Sequence, residues 1–254
     1  MSSILLLTII LAVLMTLVGG KKGLISFFSV LLNFVILFVA VILISVGISP
    51  IGVTIFAGLA LVATTIYMGN DEEKTTNVAF IATVISIGVL LLMIIPFDKF
   101  AAIQGFSPEQ SEEIEAFNLL IGINFESITI SVTILSTLGA IAEAAIAVAS
   151  GLDELMEQNP NMTLAQLYES GRNIGFQIMG MTFNTLFFGM FGGDLALFIL
   201  IAKMHAKFGY YLNSKIFVSE SIEVLFSSIA IIFVIVMTTY LMGRRIKNKE
   251  LIQK

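Results

Sequence analysis

The residues best suited to chemistry form a polar stripe along one apolar segment of the sequence, 127–149. When this segment is wound as an α-helix, its hydroxyl side chains, one alanine and two acids share an arc of about 120°. The stripe consists of Glu126, Thr129, Thr133, Ser136, Thr137, Ala140 and Glu143. Such a face would line a hydrated path in which Glu143 takes up a proton or a cation, because an ionisable group in an apolar segment needs a partner. Alternatively, the hydroxyls bond back to their own helix or join neighbouring helices.

A second set of polar side chains lies in the next apolar segment, 174–202. Gln177 and Asn184 are about two helical turns apart and share one face, where their amides either bind substrate or bond across helices. Asp194 follows the glycine pair Gly192-Gly193. If the helix breaks there, a carboxylate beside exposed backbone suits a proton or cation site. If 174–202 is instead two helices and a loop, Asp194 is an ordinary loop residue.

The composition places these segments in a lipid bilayer. Of 254 residues, 57% are hydrophobic and 12% are charged, with a mean hydropathy of +1.01, whereas soluble domains carry about 25% charged residues. The stretch 23–70 contains no charge. As one helix it would extend ~72 Å against a hydrocarbon core of ~30 Å. It must therefore cross twice and turn near 47–52.

The uncharged stretches predict an all-α, polytopic transmembrane helix bundle. Residues 1–254 form a single integral membrane domain in this prediction. We expect about seven spans, and the stretches also permit six or eight. The predicted spans are 3–19, 25–46, 51–68, 77–96, 127–149, 174–202 and 224–243. The sixth exceeds one perpendicular crossing, so it is a kinked helix, a helix with a re-entrant piece, or two short crossings. The first is expected to be retained, because Lys21 and Lys22 follow its apolar run, unlike the basic residues of a signal peptide.

The distribution of Lys and Arg predicts an outer N-terminus and a cytoplasmic C-terminus. If the chain crosses the membrane seven times from an outer N-terminus, the inner side holds Lys21, Lys22, Lys74, Arg172, Arg244, Arg245, Lys247, Lys249 and Lys254. The outer side receives Lys99, Lys203, Lys207 and Lys215.

Two of the connections between the predicted spans are long and hydrophilic. The connection 98–126 is predicted to be an acidic extracellular loop; its acids are Glu109, Glu112, Glu113, Glu115 and Glu126. The connection 151–173 is predicted to be a cytoplasmic amphipathic segment. There, Thr163 and Gln166 fit a capping box that begins a short helix, and Gly171 is expected to end it.

The residue inventory argues against an enzyme. Cysteine is absent and His205 is the only histidine, so zinc sites, Ser/His/Asp triads and haem ligation lack their usual residues. An intramembrane acid pair of Glu143 with Asp194 is the remaining catalytic reading, and the sequence does not place the two together. We predict no cofactor, no metal and no nucleic-acid partner.

The segment Gly139–Glu143, continued by Ala147–Ser150, resembles the signature helix of the YibE/F-like family of bacterial membrane proteins. The resemblance extends through Asn159-Pro160-Asn161, Ser170–Gly175, Ile178-Met179-Gly180 and Asn184-Thr185-Leu186, and its specific part covers 127–195. It implies a multi-pass protein of the bacterial plasma membrane, similar to the shorter YibF-type member, that pairs with a longer YibE-type subunit. The family pattern has aspartate where Glu143 stands, and often an acid where Gln177 stands. The resemblance implies no particular substrate.

These observations predict a transporter or permease component with an intramembrane acidic site for a proton or cation. Its path is predicted to comprise Glu143, Thr129, Thr133, Ser136, Thr137, Gln177, Asn184 and Asp194. The alternative is a non-transporting membrane scaffold or receptor subunit that acts through the extracellular loop and a related partner or a second copy of itself.

Overall fold

The computed structural model describes residues 3–69, 72–101, 124–205 and 207–252, and every regular element in these ranges is helical. The helices are α1 (Ser3–Ser45), α2 (Pro50–Gly69), α3 (Glu73–Ala101), α4 (Phe125–Gln158), α5 (Leu164–Gly193), α6 (Leu195–Lys203), α7 (Phe208–Asn213) and α8 (Lys215–Ile252). Within the described residues, 6 helices are long and apolar enough to cross a membrane. The predicted all-α membrane bundle is therefore confirmed. Most of the predicted acidic loop, with Glu109, Glu112, Glu113 and Glu115, lies outside the described residues.

Helix α1 contains a sharp turn at Gly20, whose backbone has φ 56° and ψ −133°. In a straight helix about 12 Å would separate Met15 from Gly23, yet a Cβ added at Gly23 would collide with the Met15 carbonyl oxygen. The chain therefore changes direction at Gly20, and two helical pieces meet there. At about 1.5 Å per residue, residues 3–19 extend about 26 Å and residues 21–45 about 38 Å. The break coincides with the boundary between the first two predicted spans.

Side-chain amides and hydroxyls join α1 to α2 in the middle of the bilayer segment. The Asn33 Nδ2 donates to Thr65 Oγ1 at 2.9 Å, and the Thr64 hydroxyl donates to Asn33 Oδ1. The Ser29 hydroxyl donates to the Thr64 carbonyl at 3.3 Å. Because each polar group finds its partner inside the helix pair, this contact holds α1 and α2 together.

Helix α4 is the central helix and contacts α2, α3, α5 and α8. Its inward face consists of small and branched apolar residues, which allow close packing on several sides. The residues Ile134, Ile141, Ala145, Val148 and Leu152 are almost entirely buried.

The start of α3 and the ends of α4 and α8 meet at one end of the bundle, which we call the basic end. Asp153 of α4 contacts both Thr75 of α3 and Arg245 of α8. Lys74 and Arg244 adjoin these residues in the sequence. The positive-inside rule predicts that this end faces the cytoplasm.

Helix α5 packs antiparallel along α8 through two glycines. A Cβ added at Gly171 would collide with Thr239, and one at Gly175 would collide with Ile235. Small residues permit such close approach of helix backbones. The capping box is confirmed, with the Thr163 N–H donating to Gln166 Oε1 at 2.9 Å. The expectation that Gly171 ends a short helix is wrong, because Gly171 serves this contact and α5 continues to Gly193.

The long apolar segment 174–202 is broken at Asp194. Helix α5 ends at Gly193, and α6 comprises 9 residues, which extend only about 14 Å. A second crossing within this segment is therefore excluded, because a membrane core is about 30 Å thick. The segment is one long helix followed by a short apolar helix.

Candidate functional site

The hydroxyls of the predicted stripe on α4 bond within their own helix. Each donates to a backbone carbonyl about one turn earlier: Thr129 to Phe125 (3.0 Å), Thr133 to Thr129 (3.0 Å), Ser136 to Thr133 (3.1 Å) and Thr137 to Thr133 (2.6 Å). The sequence left open whether these groups line a path or bond locally. Local bonds are present, and they leave the hydroxyl oxygens able to accept further hydrogen bonds.

One stripe residue reaches the neighbouring helix in the core of the bundle. The hydroxyl oxygens of Thr137 on α4 and Ser227 on α8 are 2.9 Å apart, and both side chains are buried. A polar contact between α4 and α8 therefore lies within the apolar interior.

Two carboxyl groups of α8 lie on the same side of the helix as Ser227. Glu220, Glu223 and Ser227 follow the three- and four-residue spacing of one helix face. The Ser136 side chain of α4 and the Glu220 carboxyl both lie near the Glu223 carboxyl, and Glu220 in turn lies near Asp194. We call Asp194, Glu220 and Glu223 the acidic group. It joins α8, the α5–α6 break and the stripe of α4.

Asp194 takes its position from the end of α5. Its backbone N–H donates to the Met190 carbonyl at 3.2 Å, and the Ser221 hydroxyl of α8 lies 3.9 Å from the Met190 sulfur. The Asp194 Oδ2 atom is buried without a hydrogen-bond partner among the described residues. Burial raises the pKa of this carboxyl, which lies just beyond the α5 span.

The sequence did not single out Glu220 and Glu223, because the predicted last span began at 224, after the charges. Helix α8 begins at Lys215, so both acids are part of the continuous helix. The helical spacing of Glu220, Glu223 and Ser227 could have indicated that the three residues share one helix face. To use it, the predicted helix would have had to begin before these charged residues.

The remaining predicted site residues do not join the acidic group. Glu143, Gln177 and Asn184 lie on exposed faces of α4 and α5. The Asn184 amide donates to the Gly180 carbonyl of its own helix at 2.9 Å. Glu143 follows Ser136 on the same exposed side of α4, about 10 Å further along the helix axis. Ser136 and Glu143 therefore lie on one side of α4, but Glu143 is on the outer surface of the single chain and does not face the acidic group.

A second polar region, a cavity of about 990 Å³, opens at the basic end. Its charged and amide-bearing lining residues are Glu72, Glu73, Lys74, Asp153, Glu157, Asn159, Asn161 and Arg245. The Arg245 Nη1 lies 3.3 Å from Asp153 Oδ1, and the Thr75 hydroxyl donates to Asp153 Oδ2 at 2.9 Å. Asp153 thus connects three helices at the wall of the cavity.

Carboxylates near this cavity are close enough to share a cation. Oxygens of Glu72, Asp153 and Glu157 lie within 4.8 Å of one another, and oxygen ligands suit hard divalent cations. Asp153 is already engaged by Arg245 and Thr75, however. The group therefore has the character of an ion-pair network.

Comparison with known proteins identifies one family. Residues 7–248 match the family described as YibE/F-like protein, which is nearly the whole chain. No curated protein and no solved structure gave a significant match.

Proposed function

This chain belongs to the YibE/F-like protein family, and we propose that it is a transporter or permease component of a bacterial plasma membrane. It works with a second membrane subunit, either a longer YibE-type relative or another copy of itself. It moves a proton or cation, alone or coupled to a solute, and performs no covalent catalysis.

The observation that carries this proposal is the proximity of the Glu223 carboxyl on α8 to the Ser136 side chain on α4. Both residues belong to helices that are long and apolar enough to cross a membrane. Ionisable side chains at such positions are rare and mark ion paths or proton relays, because hydrocarbon does not solvate charge. In this role Glu223 takes up the proton or cation, and Glu220 and Asp194 supply neighbouring acids. The Ser136 hydroxyl stabilises the charged form of Glu223 when it turns its hydrogen from the Thr133 carbonyl to the carboxylate.

The exposed predicted residues suit the second subunit. Glu143 continues the direction of Ser136 along α4, and Gln177 and Asn184 lie exposed on the adjacent helix α5. A partner helix placed over these faces would enclose Glu143 and extend the path beyond the acidic group. The partner would thereby remove polar groups from contact with lipid.

Ion flux in proteoliposomes tests the proposal. Purified protein is reconstituted in vesicles that contain a pH-sensitive dye, and proton movement is recorded after imposing a sodium, potassium or pH gradient. We expect Glu223→Gln to reduce the rate to that of protein-free vesicles. Glu154→Gln, at an exposed acid of α4 near the basic end, is the matched control and retains wild-type flux. Equal rates for Glu223→Gln and wild type would contradict the proposal.

A non-transporting scaffold or receptor subunit is the second candidate. The exposure of Glu143, Gln177 and Asn184 on membrane-length helices also suits a chain whose main role is to bind another membrane protein. Deletion of much of the acidic segment 105–117 separates the two functions. A scaffold loses partner binding and shows no flux before or after the deletion, whereas a transporter retains its flux.

A further inference from the structure

The polar contacts at the basic end converge on one carboxylate. Arg245 of α8 and Thr75 of α3 engage the two oxygens of Asp153 separately, at 3.3 and 2.9 Å. The Thr75 hydroxyl oxygen also lies 3.3 Å from Glu72 Oε2. The side chains of Arg245 and Asp153 are 24% and 18% exposed, so this pair is better shielded from water than an ordinary surface ion pair.

Behind these contacts, the buried residues of α4 form an apolar layer. Leu152 and Val148 of α4 and Met242 of α8 are completely buried. Between Thr137 and Asp153 every buried residue of α4 is apolar: Leu138, Ile141, Ala142, Ala144, Ala145, Val148, Ala149 and Leu152. This layer extends about 21 Å along the helix. It separates the cavity at the basic end from the hydroxyls and carboxyls deeper in the bundle.

We propose that Arg245, Asp153 and Thr75 form a latch that holds the basic end closed. While the latch is intact, α3, α4 and α8 are tied together where they border the cavity, and the apolar layer excludes water. When it opens, Asp153 and Arg245 turn toward the cavity and the ends of the three helices separate. The cavity then becomes the entrance of a path toward Ser136 and Glu223.

Partial burial makes this contact suited to switching. Arg245→Gln leaves Asp153 close to the carboxylates of Glu72 and Glu157, and Asp153→Asn removes the carboxylate that Arg245 contacts. Each substitution therefore disfavours the closed arrangement. In the open arrangement water solvates both charges, so the same substitution has little effect there. A single substitution therefore shifts the population toward the open state.

Cysteine accessibility tests the latch directly, because the chain contains no cysteine. Val148→Cys places a single reporter in the buried layer, and a membrane-impermeant maleimide is applied to each face of oriented membrane vesicles in turn. We expect slow labelling in the otherwise native chain. Asp153→Asn and Arg245→Gln should each accelerate labelling about tenfold, from the basic end only, since the rate follows the open population. The exchanged pair Asp153→Arg with Arg245→Asp should restore slow labelling.

A second reporter separates opening from general loosening. Ala40→Cys lies in the buried contact of α1 with α2, away from the latch, and should stay unlabelled in every variant. The proposal is overturned if the single variants label Val148→Cys at the native rate, if the exchanged pair is as fast as the single variants, or if Ala40→Cys is labelled too. The latch rests on the proposed transport function, but accessibility is measured without flux. Wild-type flux no faster than that of protein-free vesicles would therefore contradict transport while leaving the latch result intact.

Discussion

The Ser227 hydroxyl donates its hydrogen to the Thr137 oxygen across the interface between α4 and α8. The two oxygens are 2.9 Å apart, while the Thr137 hydroxyl donates to the Thr133 carbonyl at 2.6 Å. Because a hydroxyl carries one hydrogen, that second bond assigns the donor role to Ser227. The resulting chain of hydrogen bonds runs from α8 into the backbone of α4, close to the acidic group.

Thr137→Val should therefore weaken the contact of α4 with α8. Valine has nearly the same shape but removes the acceptor. We therefore expect the free energy of unfolding to fall by about 0.6 kcal/mol, the average for hydrogen bonds between membrane helices, and by no more than about 1.7 kcal/mol. Thermal unfolding in detergent, followed by circular dichroism, measures the change. Ser227→Ala added to Thr137→Val should have little further effect, since the shared bond is already lost.

The control for this prediction is Thr185→Val. Thr185 is exposed on α5 and its hydroxyl donates to the Met181 carbonyl of the same helix at 3.0 Å. Its substitution should leave the unfolding temperature unchanged. Fully additive losses in Thr137→Val and Ser227→Ala would mean that the two hydroxyls do not stabilise each other.

The close packing of α5 on α8 predicts unequal effects for two glycines of the same helix. Gly175→Ala introduces a methyl group against Ile235, whereas a Cβ added at Gly180 would point into open space. We expect Gly175→Ala to lower the free energy of unfolding by about 1–3 kcal/mol through overpacking. Gly180→Ala should be neutral or stabilising by up to about 1 kcal/mol, because alanine favours the helix. Equal unfolding temperatures for the two variants would contradict the packing.

The turn in α1 predicts a similar contrast within a few residues. The methyl group of Gly23→Ala would collide with the Met15 carbonyl oxygen, whereas a Cβ added at Gly19 would meet no atom of another part of the chain within 4 Å. Because the obstacle is backbone and not a flexible side chain, the two pieces of α1 must separate to admit the methyl group. Protease cleavage near residues 19–23 of the reconstituted protein should become faster in Gly23→Ala than in Gly19→Ala. Identical digestion patterns would show that the pieces do not meet there.

Much of the fold could be predicted because lipid imposes a simple rule: backbone polar groups must be satisfied within helices. Uncharged stretches consequently locate α2, α3 and α4, and the Thr163 capping box locates the start of α5. Gly171 was misread because a glycine that ends a helix and a glycine that admits a neighbouring helix are identical in sequence. Only the position of Thr239 on α8 distinguishes the two.

The site was harder to predict because its members come from distant parts of the chain. Ser136 was identified from helical spacing, but its partner Glu223 was assigned to a connection outside the last predicted span. Helical spacing also could not orient α4 toward a particular neighbour, so the sequence predicted Glu143 as the residue that takes up the proton or cation and gave Ser136 no partner on another helix. In the structure Ser136 meets α8, whereas Glu143 lies two turns beyond it on the exposed side.

The exposure of Glu143 leads to a prediction about assembly. Its neighbours Ala142 and Ala144 are 1% exposed, so the backbone at this position is deep in the bundle while the carboxyl points away from it. An acid facing hydrocarbon near the centre of a membrane costs about 2.5–3.5 kcal/mol on insertion scales. A second subunit that covers this face would remove that cost by supplying polar partners.

Glu143→Leu should therefore weaken assembly while leaving the single chain folded. The measurement is the mass distribution of the protein solubilised in mild detergent, with and without a chemical cross-linker. We expect the wild type to form a larger species and Glu143→Leu to shift toward single chains at an unchanged unfolding temperature. Glu169→Leu, at an exposed acid of α5 near the basic end, should assemble as the wild type does. If Glu143→Leu assembles normally, no partner contact depends on this carboxyl, and its exposed position must face water instead.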